Sequence, residues 1–395
     1  MRRTDGRRSK AGTNALVLTL ALCALWFICS FPTDAKAQSQ APDRFAILEP
    51  LTGGQALFGI DQVQAARWAV EDINKKSDRK GRPLEALVLD TQADPQIGIQ
   101  MAERACGIEK VPVICGAFSV VVAAVAPIVN RNKVLFLSVG ANSPRIAQLG
   151  DYVYTIFPLA DIDVSALVKY AYNTLKKRRA AVLYVNNETG IFGAEIFRDE
   201  FKKIGGEVVS FQAYEPYATD FTAQVLQVKA GNPDVIHLHG LVAETPQVIA
   251  QIRQFGIKAQ IISYQNAYNP KIVEQAGEAA AEGFTVASLA PPASDPNVKA
   301  YIDRWMKEKG REPYGLPYTQ YWHDSSYFVD ACFNWLKANS LPFTGENMRK
   351  ALLTVRTFNT PLVGKVVIND NHTVDKTVYF MQVQKGKFVH IATSQ

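Results

Sequence analysis

The sequence predicts an α/β fold of two Rossmann-like domains with parallel sheets, joined by a multi-strand hinge. Three observations point to it. Short apolar runs bounded by turn residues alternate with helical periods along most of the chain. That alternation breaks once, near Phe157–Asp161, and then resumes. The length left after the N-terminal segment is set aside, about 358 of 395 residues, suits two domains of ordinary size.

In the first series Phe45–Leu48, Leu84–Leu89, Val111–Ile114 and Val134–Leu137 read as strands. A helix opening at Gly59 carries the expected inward stripe Ile60, Val63, Ala66, Val70 and Ile73, spaced by three and four. Pro95–Ala105 and Val120–Asn130 are the helices between the later strands. The second series has strands at Ala180–Val185, Glu207–Phe211, Val235–Leu238 and Gln260–Ser263. Its helix Gly193–Ile204 places Ala194, Phe197, Phe201 and Ile204 on one face. Strands joined by helical crossovers make parallel sheets covered on both faces. The last third departs from this rhythm, with long helical patterns at Asp295–Lys309 and Pro317–Lys337, then short strands at Val366–Ile368 and Val378–Val383. A chain that returns to its first domain and ends on its second accounts for this. The expected lobes are 43–158 plus 288–372 and 159–287 plus 373–395. Repeated crossings make a hinge, and open parallel sheets bind ligands at their C-terminal edge.

Residues 1–37 read as a signal peptide. Arg2, Arg3, Arg7, Arg8 and Lys10 precede an uncharged apolar stretch from Ala15 to Phe31, and Ala35-Lys36-Ala37 fits the small-x-small cleavage rule. The expected mature chain starts at Gln38 and works in the periplasm. An uncleaved anchor is the competing reading, at the short limit for a span. Lipid attachment is disfavoured, since Cys23 follows Leu22 and Cys29 follows Ile28. The segment holds six basic and two acidic side chains, so its removal lowers the net charge from +6 to +2. A near-neutral chain gives no footprint for nucleic acid or an anionic membrane. Three cysteines remain, Cys106, Cys115 and Cys332. A helix end and the end of the following strand lie on opposite sheet edges, over ~15 Å apart, so Cys106 and Cys115 are not expected to bridge. All three read as apolar fillers.

Several segments together carry a resemblance. They are Leu51-Thr52-Gly53 to Phe58-Gly59, Ala69-Val70-Glu71-Asp72-Ile73-Asn74, Asp90 to Asp94-Pro95, and Gly116 to Pro127. Ser138 to Pro144, Phe192-Gly193, Asp220-Phe221 and Gly231 to Asp234 continue the order. In order and spacing these resemble the leucine–isoleucine–valine-binding family of type I periplasmic binding proteins, which serve ABC transporters for hydrophobic amino acids. The resemblance runs from about Phe45 to the C-terminus. It implies a monomer that captures a small ligand for a membrane permease, with no cofactor, no metal and no catalysis.

The resemblance places the ligand's carboxylate on Ser119, Gly140 and Asn142. Gly116 to Pro127 is a residue shorter than in the family, which leaves Val120 as the alternative to Ser119. A helix start offers free N–H groups to an anion, and a helix N-cap is the plainer role for such a serine. The ammonium partners of the amino-acid binders fall on Leu241 and Gln265. Leucine cannot hydrogen-bond and glutamine carries no countercharge, so a buried ammonium would lack its pairing. A carboxylate without the α-amine is therefore the expected ligand, with Glu244 the first suspect should an amine be bound after all. Phe58, Phe118, Phe192, Tyr264, Tyr268 and Tyr318 crowd the strand ends and suit a planar aromatic acid by stacking, although core or rim packing is their commoner role.

His237-x-His239 puts two imidazoles on one strand face, a spacing a metal can use, but no third ligand lies nearby. The plainer expectation is one packed histidine and His239 at the cleft edge, where it can bond an anionic ligand. No G-x-S-x-G, P-loop or strand-borne G-x-G-x-x-G supports an enzyme. A ligand-sensing receptor subunit shares this fold and stays open as an alternative role.

Overall fold

A computed structural model describes residues 41–79 and 81–394. The signal-peptide expectation falls on residues outside this range. Among the described residues no helix is long and apolar enough to cross a membrane.

The first sheet has the order β2-β1-β3-β4-β5, with every pairing parallel. Its strands are β1 (Asp43–Glu49), β2 (Leu84–Asp90), β3 (Val113–Gly116), β4 (Leu135–Ser138) and β5 (Val153–Thr155). Three helices connect them, α1 (Ala56–Asn74), α2 (Pro95–Glu103) and α3 (Ser119–Asn132). Alternate residues of β1 serve opposite faces, Phe45 and Ile47 in one core cluster and Ala46 and Leu48 in the other. This explains why parallel strands read as unbroken apolar runs.

After β5 the chain crosses to helix α4 (Ala160–Lys169) and the second sheet. There β6 (Arg179–Val185), α5 (Glu188–Lys203), β7 (Glu207–Tyr214), α6 (Thr222–Ala230), β8 (Val235–His239), α7 (Thr245–Gln254) and β9 (Gln260–Ser263) keep the βα rhythm. Helix α8 (Pro270–Ala276) and strand β10 (Thr285–Ser288) follow. The chain then crosses back, and α9 (Pro296–Lys309) and α10 (Leu316–Ala338) lead to α11 (Gly345–Val355), with α10 packed along α1. A small antiparallel sheet, β11 (Thr357–Thr360), β12 (Gly364–Ile368) and β13 (Val374–Asp375), precedes the last crossing. Strands β14 (Tyr379–Gln384) and β15 (Lys387–Thr393) then complete the seven-stranded second sheet, β15-β14-β10-β9-β8-β6-β7. Only the β10–β14 and β14–β15 pairings in it are antiparallel.

Local chemistry sets the helix starts. Asp94 and Asp295 cap α2 and α9 from β-region backbone, each followed by proline at the first helical position. One expectation fails at α1. It begins at Ala56 rather than Gly59, and Ile60 is 48% exposed instead of inward. Asp61 takes the buried position because the Arg311 guanidinium grips both its oxygens at 2.7 and 2.8 Å and Tyr314 N–H donates to it at 2.8 Å. Under the first sheet, Arg79 joins Asp43 and Asp330 in a buried ion network that Lys337 enters at 2.8 Å from Asp43. Removing one member of such a network leaves buried charge uncompensated, at about 3–5 kcal/mol. Cys106, Cys115 and Cys332 are free thiols, the last two fully buried.

Candidate functional site

A cavity of about 520 Å³ lies between the C-terminal edges of the two parallel sheets. Its walls are the turns that follow β3, β4, β6, β7, β8 and β9, together with Phe58 and Gln62 of α1 and Tyr318 of α10.

The first-sheet wall is suited to an anion. Phe118 precedes α3 with φ +63°, a left-handed conformation that bulky residues rarely adopt. Ser119 is thus the first helical residue and does not act as the N-cap. The first intrahelical bonds of α3 come from Val121 and Val122 N–H to Phe118 C=O, so the two preceding amides have no helical acceptor. Ser119 Oγ accepts from Ser143 N–H at 3.3 Å. Both alternatives, Ser119 and Val120, line the cavity, and so do Gly140 and Asn142. A Cβ on Gly140 would lie 3.2 Å from the Tyr318 ring, so glycine keeps the backbone open there. The Asn142 side-chain amide makes no hydrogen bond within the described residues, although the residue is only 7% exposed.

On the opposite wall Leu241 lines the cavity as expected, whereas Gln265 does not. A tight turn at Gln265–Ala267 carries Gln265 inward, 1% exposed, with both amide atoms sealed and unpaired, and turns Asn266 to the cavity instead. The Gln265 N–H meets Asp163 Oδ2 at 3.3 Å, and burial pushes the Asp163 carboxyl up to about 7.

His239 is also corrected. Its ring is fully buried, stacked 3.7 Å behind Tyr264, and its Nδ1 lies 3.2 Å from Nε2 of His237, which stacks on Phe197. A side chain at Gly193 would collide with the His239 ring, so β8 and α5 seal the histidines in. Burial drives His237 down to about 3 and His239 well below its usual range, so both are neutral. No group of three His, Cys, Asp or Glu among the described residues can hold a metal ion.

Phe58, Phe118, Tyr264 and Tyr318 line the cavity, while Phe192 and Tyr268 do not. Phe192 sits under the Arg145 guanidinium, 5.1 Å from its ring, and Tyr268 packs edge-on against Phe388. Sequence reasoning missed Gln62, the Asn187–Thr189 turn and Tyr217. Tyr217 has φ +64° and is 73% exposed; its N–H donates to Glu244 Oε1 at 2.6 Å. Glu244 is therefore buried beneath that loop and is not among the lining residues. The acid that does line the cavity is Glu188, and it is engaged by Ser143 Oγ at 3.3 Å and Arg145 at 3.7 Å. Position just after a strand end was the one sequence signal available for 187–189 and 217.

A family model described as periplasmic binding protein matches residues 43–387. The chain belongs to this family. It is 28% identical over 278 residues to the leucine-specific-binding protein of Salmonella typhimurium, covering 70% of this chain and 74% of that one. A solved leucine binding protein from Thermotoga maritima superposes with a TM-score of 0.76 at 26% identity, over 89% of this chain and 98% of the other. A solute binding protein of an ABC transporter from Rhodopseudomonas palustris, solved with 3,4-dihydroxy benzoic acid, superposes with a TM-score of 0.76 at 19% identity, covering 89% and 97%. The two facing sheets are thus the fold of a type I periplasmic binding protein. Such proteins pass small ligands to the permease of an ABC transporter, and the relatives are binding proteins, not enzymes.

Proposed function

We propose that this periplasmic binding protein captures an aromatic carboxylate for an ABC importer. The observation that carries the reading is a cavity with an anion-ready first wall and, opposite it, no uncommitted carboxylate. The carboxylate sits against Ser119, Gly140 and Asn142, and the ring lies among Phe58, Phe118 and Tyr264. Leu241 stands on the wall where an ammonium would need a partner. The lobes are 43–158 plus 288–372 and 159–287 plus 373–395, and the protein acts as a monomer in the periplasm after loss of residues 1–37.

A second reading, a branched-chain amino acid, is favoured by the identity to the leucine-specific-binding protein and by Glu188 at the cavity wall. Calorimetry separates the two. An unpaired buried ammonium costs about 3–5 kcal/mol, two to four decades in affinity. Benzoates are expected to bind at micromolar concentration and leucine, isoleucine and valine to bind weakly or not at all. Micromolar leucine binding with no aromatic acid bound would replace the first reading by the second.

A further inference from the structure

Gln62, like Asn142, is a polar group of the cavity wall with no hydrogen-bond partner among the described residues, and the carboxylate reading gives it no role. It lies four residues after Phe58 on α1, so both side chains share the helix face that meets the cavity. The residue is only 4% exposed, yet its amide makes no hydrogen bond to any described residue. Oε1 is sealed with no donor. Buried amides are almost always paired, and leaving one unmet is costly. The neighbouring Tyr318 hydroxyl also has no hydrogen bond within the described residues. Its ring is fixed by stacking on Phe157 at 4.9 Å and by contact with Gly140 and Gly315. Gln62, Phe58 and Tyr318 all line the cavity, and Gly315 brings the Phe58 and Tyr318 rings together, a Cβ on it lying 3.5 Å from each.

We infer that Gln62, with Tyr318 beside it, reads a hydroxyl on the ligand ring, so that the ligand class narrows to hydroxylated aromatic acids. This rests on the aromatic-acid reading above. An amide turned by half a revolution about its last bond presents either a donor or an acceptor, and a phenolic hydroxyl is both. A neutral amide matches a neutral substituent. A ring ammonium would need a carboxylate, and Glu188 is already held by Arg145. An unsubstituted ring would leave Gln62 unpaired and more deeply buried than before.

The test is calorimetry with benzoate, 3-hydroxybenzoate, 4-hydroxybenzoate and 3,4-dihydroxybenzoate on the wild type and on Gln62→Met, which keeps length and removes hydrogen bonding. At least one hydroxylated acid should bind the wild type about tenfold tighter than benzoate, the worth of one net hydrogen bond. Gln62→Met should lose that advantage, the hydroxylated acids falling to the affinity of benzoate on the same variant. Equal wild-type affinity for all four acids overturns the inference, as does an equal loss for every acid in Gln62→Met. Benzoate binding without a hydroxyl preference sinks this inference alone, whereas no binding of any aromatic acid sinks the reading beneath it. Gln62→Leu serves as the second variant, and the wild-type series decides the matter if neither variant folds.

Discussion

Asp163 of α4 is fully buried outside the cavity lining, with no cation beside its carboxyl. Burial raises its pKa to about 7, and the unfolded chain titrates near 4. Between those values the folded state holds a proton that the unfolded state has released, so stability falls as pH rises from about 4 to about 7 and is level above that. The full effect is at most about 4 kcal/mol. His237 works in the opposite sense. Its folded value of about 3 is depressed, so its share of stability is complete above the usual histidine range and is lost as pH falls towards 3. Asp163→Asn should therefore be more stable than wild type at pH 8 and nearly equal at pH 4 in urea unfolding. A variant that loses stability at pH 8 would show that the folded protein stabilises the charged carboxylate. At this scale Ser119, Gly140, Asn142 and Leu241, which the family resemblance put forward, do line the cavity. Gln265 and His239 were misplaced because one tight turn and one ring stack decide which side chain faces the cavity. Neither leaves a mark in a hydrophobic pattern.

Helix α1 shows how an element passes geometry to the site. A Cβ on Gly59 would lie 1.9 Å from the Pro50 carbonyl oxygen, so the helix touches the turn after β1 through a glycine. That contact sets the height at which Phe58 and Gln62 enter the cavity. Gly59→Ala should cost more than about 2 kcal/mol in chemical denaturation, as expected for overpacking against backbone. It should also weaken ligand binding in calorimetry. Unchanged stability would mean that α1 can slide along its sheet. The long elements were readable because three or more apolar positions repeat in each. Strands β5, β10, β11, β13 and β15 were not, whereas the short β3, β4 and β9 were, because these are apolar runs set between helical stretches. Ile60 was assigned inward from spacing alone, and the Arg311–Asp61 ion pair that turns it outward spans 250 positions of sequence.

Across the whole molecule, side-chain contacts join the part of the chain that carries the first sheet to the part that carries the second. Ser143 and Arg145 meet Glu188, and Lys271 lies 4.3 Å over the Tyr314 ring. A ligand that touches both walls binds a closed form best and shifts the open–closed equilibrium by its differential affinity. Solution scattering should show a smaller radius of gyration at saturating ligand, and an unchanged radius would argue against hinge closure. The presence of two main sheets was legible from the interrupted rhythm. The return crossings came from length and the change of pattern after residue 290, not from any motif. The last of those crossings also orders events in time. Strand β10 receives its antiparallel neighbour β14 only after roughly ninety further residues have been made, a distant contact that is slow to close. Until then β10 is a bare edge, the kind of strand that recruits other chains. A nascent copy of this protein therefore keeps that edge open until Tyr379–Gln384 has been made.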